Sequence, residues 1–137
     1  MAATMVDEGA IALLTKLKTE VYDSATIVLF TAPTSFTRAT AYGDITLATF
    51  SGYTGEPLTL SSVSINGDGK AEMTGDQVTF AHDGGETANT VYGYAVIKSI
   101  DYKLFWMELF ETPKEMAEEG DVIKITPRFT LTDELLA

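Results

Sequence analysis

The sequence predicts a mainly β protein, an antiparallel β-sandwich of about eight strands preceded by one short helix. Three observations carry that expectation. From Ser24 onward, β-branched and aromatic runs recur at a spacing of roughly ten residues, punctuated by Gly, Pro, Asn and Asp. Helical periodicity is confined to the first twenty residues. The last third holds three dense strand patterns, 91–98, 104–110 and 120–131, which contain the only Trp. The whole length, 1–137, reads as a single domain: arm and helix over 1–20, sandwich over 24–131, and a tail over 132–137.

Residues 1–6 read as an arm and 7–20 as a helix. Ile11, Leu14 and Leu17 share one face, with Ala10 and Leu13 beside it. Asp7 and Glu8 suit the positive end of the helix dipole, and Lys16 and Lys18 the negative end. A helix this short needs something to pack on. Strands are expected at 25–31, 44–50, 58–65, 70–73 and 77–82. Asn66-Gly67-Asp68-Gly69 and Asp83-Gly84-Gly85-Glu86 supply turns between them. A long central strand falls at 90–100, and another at 103–111 carries large apolar residues on both faces. A loop or single helical turn is expected at 113–119, and a last strand at 122–131, where Pro127 marks an edge or a bulge because it has no N–H to donate.

With 20 acidic against 9 basic residues the net charge is −11, which argues against a nucleic-acid backbone or an anionic lipid surface as partner. No cysteine is present, so disulfides and thiolate metal sites are excluded. Met1 to Glu8 lacks the basic and apolar regions of a secretory leader, and no apolar run reaches the length of a membrane span.

His82, followed by Asp83 and with Glu86 nearby, has the composition of a general base with a carboxylate orienter, but no nucleophile stands in a matching context. Asn66, Asp68 and Glu72 resemble part of a calcium loop, except that Lys70 falls where a ligand is wanted. Glu111, Glu115, Glu118, Glu119 and Asp121 form an acid-rich stretch that reads as a solvated face. Tyr42, Tyr53, Tyr92, Tyr94, Tyr102 and Trp106 read as core and cross-strand residues in preference to a sugar-stacking platform. The chain is therefore expected to be no enzyme and to hold no cofactor or metal.

Four segments in order carry a resemblance: Phe50-Ser51-Gly52-Tyr53, Val91-Tyr92-Gly93-Tyr94, Glu108-Leu109-Phe110 running to Pro113, and Gly120-Asp121-Val122-Ile123-Lys124-Ile125-Thr126-Pro127. Together with the N-terminal helix and Thr26-Ile27-Val28-Leu29-Phe30, this set resembles small head proteins of tailed bacteriophages, among them capsid cement (decoration) proteins with a jelly-roll-like sandwich. The resemblance implies a homotrimer made in the host cytoplasm and bound to the outer surface of the mature head, with the major capsid protein as partner. Contact is then expected from the N-terminal arm and helix, through Met5, Val6, Ile11, Leu14 and Leu17. The alternative implied function is a receptor- or glycan-binding module of a tail fibre or spike.

Overall fold

The computed structural model describes residues 4–20 and 22–131. The expected tail at 132–137 and the first three residues of the arm lie outside that range. Among the described residues the chain forms one α-helix and ten strands, all antiparallel where paired, consistent with the β-sandwich class. The chain divides into two compact units.

The larger unit comprises Ser24–Leu58 and Val78–Ile125. Its main sheet is built on β1 (Thr26–Ala32), β7 (Asn89–Lys98) and β8 (Lys103–Met116), with β2 (Thr46–Leu47) and β3 (Glu56–Pro57) both paired to β1. A second ladder joins β6 (Val78–Ala81) to β9 (Val122–Ile125). In the main sheet Val28, Ala95 and Met107 form one row, and Phe30, Gly93 and Leu109 the next. These rows put Val28, Phe30, Ala95 and Ile97 into one apolar cluster, with Tyr42, Ile45 and Leu47 packed against it. Ile27, Leu29, Val96 and Tyr94 are buried on the opposite face, as the period of two requires.

Two irregularities shape β8. Val96 pairs with Trp106 but Ile97 pairs with Leu104, so Phe105 is an inserted residue. The insertion switches parity and lets Leu104 join Met107 and Leu109 in the cluster. Further on, the register steps from Gly93–Leu109 to Val91–Lys114, so Tyr92 alone faces the four residues 110–113. The expected loop at 113–119 is corrected here: Pro113 to Met116 belong to β8, because the strand re-pairs with Val91, Thr90 and Asn89 beyond the excursion.

Gly93 makes the row between β1 and β8 possible. A Cβ there would lie 2.1 Å from the Glu108 carbonyl oxygen and 2.7 Å from Phe30 Cζ. The phenyl ring occupies the space a side chain would take, a close approach only glycine permits.

The smaller unit comprises the chain through Asp23, Thr59–Gln77, and the chain from Thr126 on. Helix α1 (Asp7–Glu20) packs on β5 (Ala71–Thr74) and β4 (Ser64–Ile65), and β10 (Arg128–Thr130) completes the sheet in the order β10-β5-β4. Leu14 is the buried residue of the helix. Tyr22 stacks on Phe129 at 4.9 Å.

Three expected strands are corrected. Over 44–50 only Thr46–Leu47 form a strand, because the Asp44 carboxylate accepts the Ala41 N–H (2.9 Å) and holds Tyr42–Asp44 in a 3-10 turn. Over 58–65 the chain changes partner: Leu58 N–H bonds Ala25 O, Leu60 bridges Gly75, and only Ser64–Ile65 ladder with β5. Over 122–131 there are two strands in different sheets, β9 and β10, divided at Thr126-Pro127. Pro127 is buried and its carbonyl accepts the Gly75 N–H at 2.7 Å. Alternation predicts one strand with an edge or bulge at Pro127, and it does not reveal that the chain changes partner there.

Gly93→Ala is expected to cost about 3 kcal/mol or to prevent folding, since neither the Glu108 backbone nor the pinned Phe30 ring can yield. Denaturant unfolding of the variant checks this; a midpoint within error of wild type refutes it.

Candidate functional site

His82 is almost fully buried, at 3% exposure, where the turns at 50–53, 82–87 and 118–121 meet. Its Nδ1 accepts the Gly84 N–H (3.0 Å), so Nε2 carries the proton and donates it to Thr87 O (2.9 Å). Its ring stacks on Phe50 at 6.0 Å. Ser51 Oγ accepts the Thr87 N–H, Asp83 Oδ1 accepts the Gly85 N–H, and the His82 N–H reaches Asp121 O. Gly52, with φ of 88°, fits here because an added Cβ would strike Asp83. Both ring nitrogens thus bond backbone within the 82–87 turn, so the imidazole staples that turn closed while its ring packs on Phe50. Asp83 bonds the adjacent backbone, not the ring.

The acid-rich stretch is dispersed by the fold. Glu111 and Glu115 lie on β8, and Glu118 and Glu119 in the following turn. Asp121 Oδ2 accepts the N–H groups of Ala117 (2.9 Å) and Glu118 (3.0 Å), and these two bonds hold its carboxyl below the ordinary value of 3.8.

In the smaller unit Asn66 Oδ1 accepts the N–H groups of Asp68 and Lys70, closing the turn. Glu72 Oε2 accepts from Asn66 Nδ2 (2.9 Å) and Thr130 Oγ (3.0 Å), and Arg128 Nε lies 3.6 Å from Oε1. The two hydrogen bonds, then the guanidinium charge, hold the Glu72 carboxyl below its ordinary 4.5. The oxygens that suggested a calcium loop serve as the struts of a hairpin turn.

The aromatic residues separate into two kinds. Tyr53 packs between Phe50 and Phe80 while its hydroxyl accepts the Leu29 N–H. Tyr94 is buried and donates to Glu108 Oε2 (2.7 Å); burial, then that carboxylate, push its phenol well above the usual range. Tyr92 and Trp106 are half-buried. Tyr102 differs, being 71% exposed beside Ile100 at 81%. Both stand at the β7–β8 hairpin tip, where Ser99–Asp101 form a 3-10 turn and Tyr102 takes the left-handed conformation (φ 52°). The Tyr102 ring meets half-buried Tyr42 edge-on at 5.6 Å. The sequence places this connector at 101–102, between strands 90–100 and 103–111, and the turn begins two residues earlier, at Ser99.

The expected partner residues also separate. Leu14 is buried on the chain's own sheet, and Ile11 and Leu17 are half-buried. Met5 and Val6 are exposed, as is Leu13 on the outer side of α1. The functional candidates are therefore two apolar surfaces, the arm with α1 and the hairpin tip. No family model, curated protein or solved structure matches this chain.

His82→Ala is expected to destabilise the fold by about 2–4 kcal/mol, through the lost ring packing and two backbone groups left unpaired. Chemical denaturation measures this, and an unchanged midpoint excludes the staple role. Asp121 and Glu72 have depressed carboxyl values, so what they contribute is complete above their ordinary values and is lost as pH falls through the lowered ones. Asp121→Asn and Glu72→Gln should each lower stability near neutral pH, with the deficit shrinking below about pH 4. Thermal melts from pH 7 to pH 2 test this; a deficit that stays constant with pH refutes it.

Proposed function

We propose that this chain is a non-catalytic structural protein of a virion, a capsid cement protein on the outer surface of a mature tailed-phage head, where it ties together neighbouring major capsid proteins. The four resembling segments support the class. Their residues are structural in this fold: Phe50, Ser51 and Tyr53 bind the turns and β1, and Gly93 admits the Phe30 ring.

The observation that carries the reading is the arrangement of α1. The helix is anchored through Leu14 while Met5 (39%), Val6 (67%) and Leu13 (37%) are held out in solvent. Leu13 on the anchored helix is pre-ordered for docking, which lowers the entropic cost of binding, and Met5 and Val6 extend the apolar surface along the arm just before it. A protein that binds only the expanded lattice stabilises that state by mass action. Assembly as a homotrimer repeats each contact, so modest individual affinities accumulate.

A second reading, a receptor- or glycan-binding module of a tail fibre or spike, is favoured by exposed Tyr102 against Tyr42, since sugars stack on such rings. Shearing tails from heads separates the two: a cement protein stays with DNA-filled heads, and a fibre module leaves with the tails.

Val6→Asp with Leu13→Asp is expected to weaken rebinding to stripped heads about tenfold or more, each buried apolar side chain contributing about 1.5–3 kcal/mol. The melting temperature should move little for Val6→Asp alone, because Val6 is 67% exposed, and further with Leu13→Asp, whose side chain is only 37% exposed. Undiminished occupancy on heads would overturn the role of this surface.

A further inference from the structure

In the larger unit, the loop that follows β1 and the first half of β8 frame a hollow of about 190 Å³. The loop contributes Phe36, Thr37, Arg38 and Thr40, and β8 contributes residues 104–107, among them Trp106. The loop is braced from within. Thr37 Oγ accepts the Ala39 N–H (3.1 Å), Thr40 Oγ accepts the Thr37 N–H (3.0 Å), and the Thr40 N–H donates to Thr37 O (3.1 Å). A hydroxyl that accepts in this way keeps its own proton to donate, and neither donates to another group among the described residues.

Arg38 is exposed, and its guanidinium has no ion pair within 4 Å among the described residues. The other arginine, Arg128, lies beside Glu72. With 20 acidic residues against 9 basic ones, a carboxylate is the common neighbour on this chain, yet no Asp or Glu lines the hollow. Its polar side chains are thus rich in donors: a guanidinium that cannot accept, and two hydroxyls whose protons are unspent. The rest of the lining is aromatic and apolar, with Phe36 at 40% exposure and Trp106 half-buried.

We infer that this hollow holds one acidic sugar of a glycan, a ring with a single carboxylate such as a hexuronate. Size selects one ring, because the volume is below the roughly 300–1,000 Å³ of pockets that take a whole small molecule. The planar fork of Arg38 matches a carboxylate through two parallel hydrogen bonds. Thr37 and Thr40 donate to ring hydroxyls, and the apolar C–H face of the sugar covers Phe36 or Trp106. An apolar acid of the same size would leave both threonine hydroxyls without an acceptor, which costs affinity. A phosphate dianion would meet only one cation here. The site uses neither α1 nor the Tyr102 tip, and it does not depend on the capsid reading.

Trp106 is the only Trp, so its fluorescence and its indole N–H resonance report on this hollow. The purified chain is titrated with the methyl glycosides of glucuronic, galacturonic and N-acetylneuraminic acid, without any phage component. At least one is expected to shift both signals saturably. The methyl ester of that same sugar, which lacks the charge, should bind about tenfold or more weakly. Arg38→Gln should bring the acid down to the affinity of its ester at unchanged melting temperature, because Arg38 is exposed and unpaired among the described residues. Phe36→Ala should weaken acid and ester together. Three acids that all leave the Trp106 signals unmoved overturn the inference. So does Arg38→Gln with wild-type affinity for the acid, or benzoate binding as tightly as the best sugar.

Discussion

The ladder between β7 and β8 is the constraint on which the larger unit depends. It is the longest pairing among the described residues, and β1 attaches to the other edge of β7. Within it, Gly93 decides whether three strands can lie together. The Phe30 ring fills the space above this glycine, and Leu109 completes the row. A side chain at Gly93 would force apart the backbone of Glu108 and the ring of Phe30, and with them the apolar cluster of Val28, Ala95 and Ile97.

Several polar side chains in this protein are committed to turns. His82 bonds two backbone groups, Asp121 two more, and Asn66 another two. A buried polar group left unpaired costs more than a hydrogen bond returns, so satisfied networks of this kind make loops rigid. The consequence for function is a division of roles. Asn66, Glu72, His82, Asp83 and Asp121, whose residue types suggested catalysis or metal binding, bond neighbouring backbone and side chains in the scaffold. The surfaces held ready for contact are apolar side chains at an anchored helix and at a hairpin tip.

Much of the fold was legible. The helix at 7–20 follows from apolar spacing and end charges, and β1 and β7 follow from short apolar runs whose β-branched and aromatic content favours buried strands. The misses share a cause. Residues 44–50, 58–65 and 122–131 all show strand-like alternation, but alternation reports a two-faced extended chain and carries no information about which neighbour it bonds. At Asp44 a side-chain hydrogen bond wins over the strand; at Leu58 and Pro127 the chain leaves one ladder for another. The candidate surfaces were half legible. Met5 and Val6 follow from the arm, whereas Ile100 reads as the last residue of a strand and Tyr102 as a packed aromatic until the hairpin turn leaves both exposed.

By itself the sequence determined the class: antiparallel β structure, one short amphipathic helix, an acidic surface and no thiol chemistry. These follow from composition and local period, which each segment carries alone. Only the tertiary structure decided which strands pair, which parity each face takes after the inserted Phe105, and which apolar side chains are left outside. Those outcomes depend on contacts between residues distant in sequence. Leu13 and Leu14 show the difference in one step: adjacent and chemically identical, one lies in solvent and the other in the core because a sheet formed elsewhere in the chain packs against only one face of the helix.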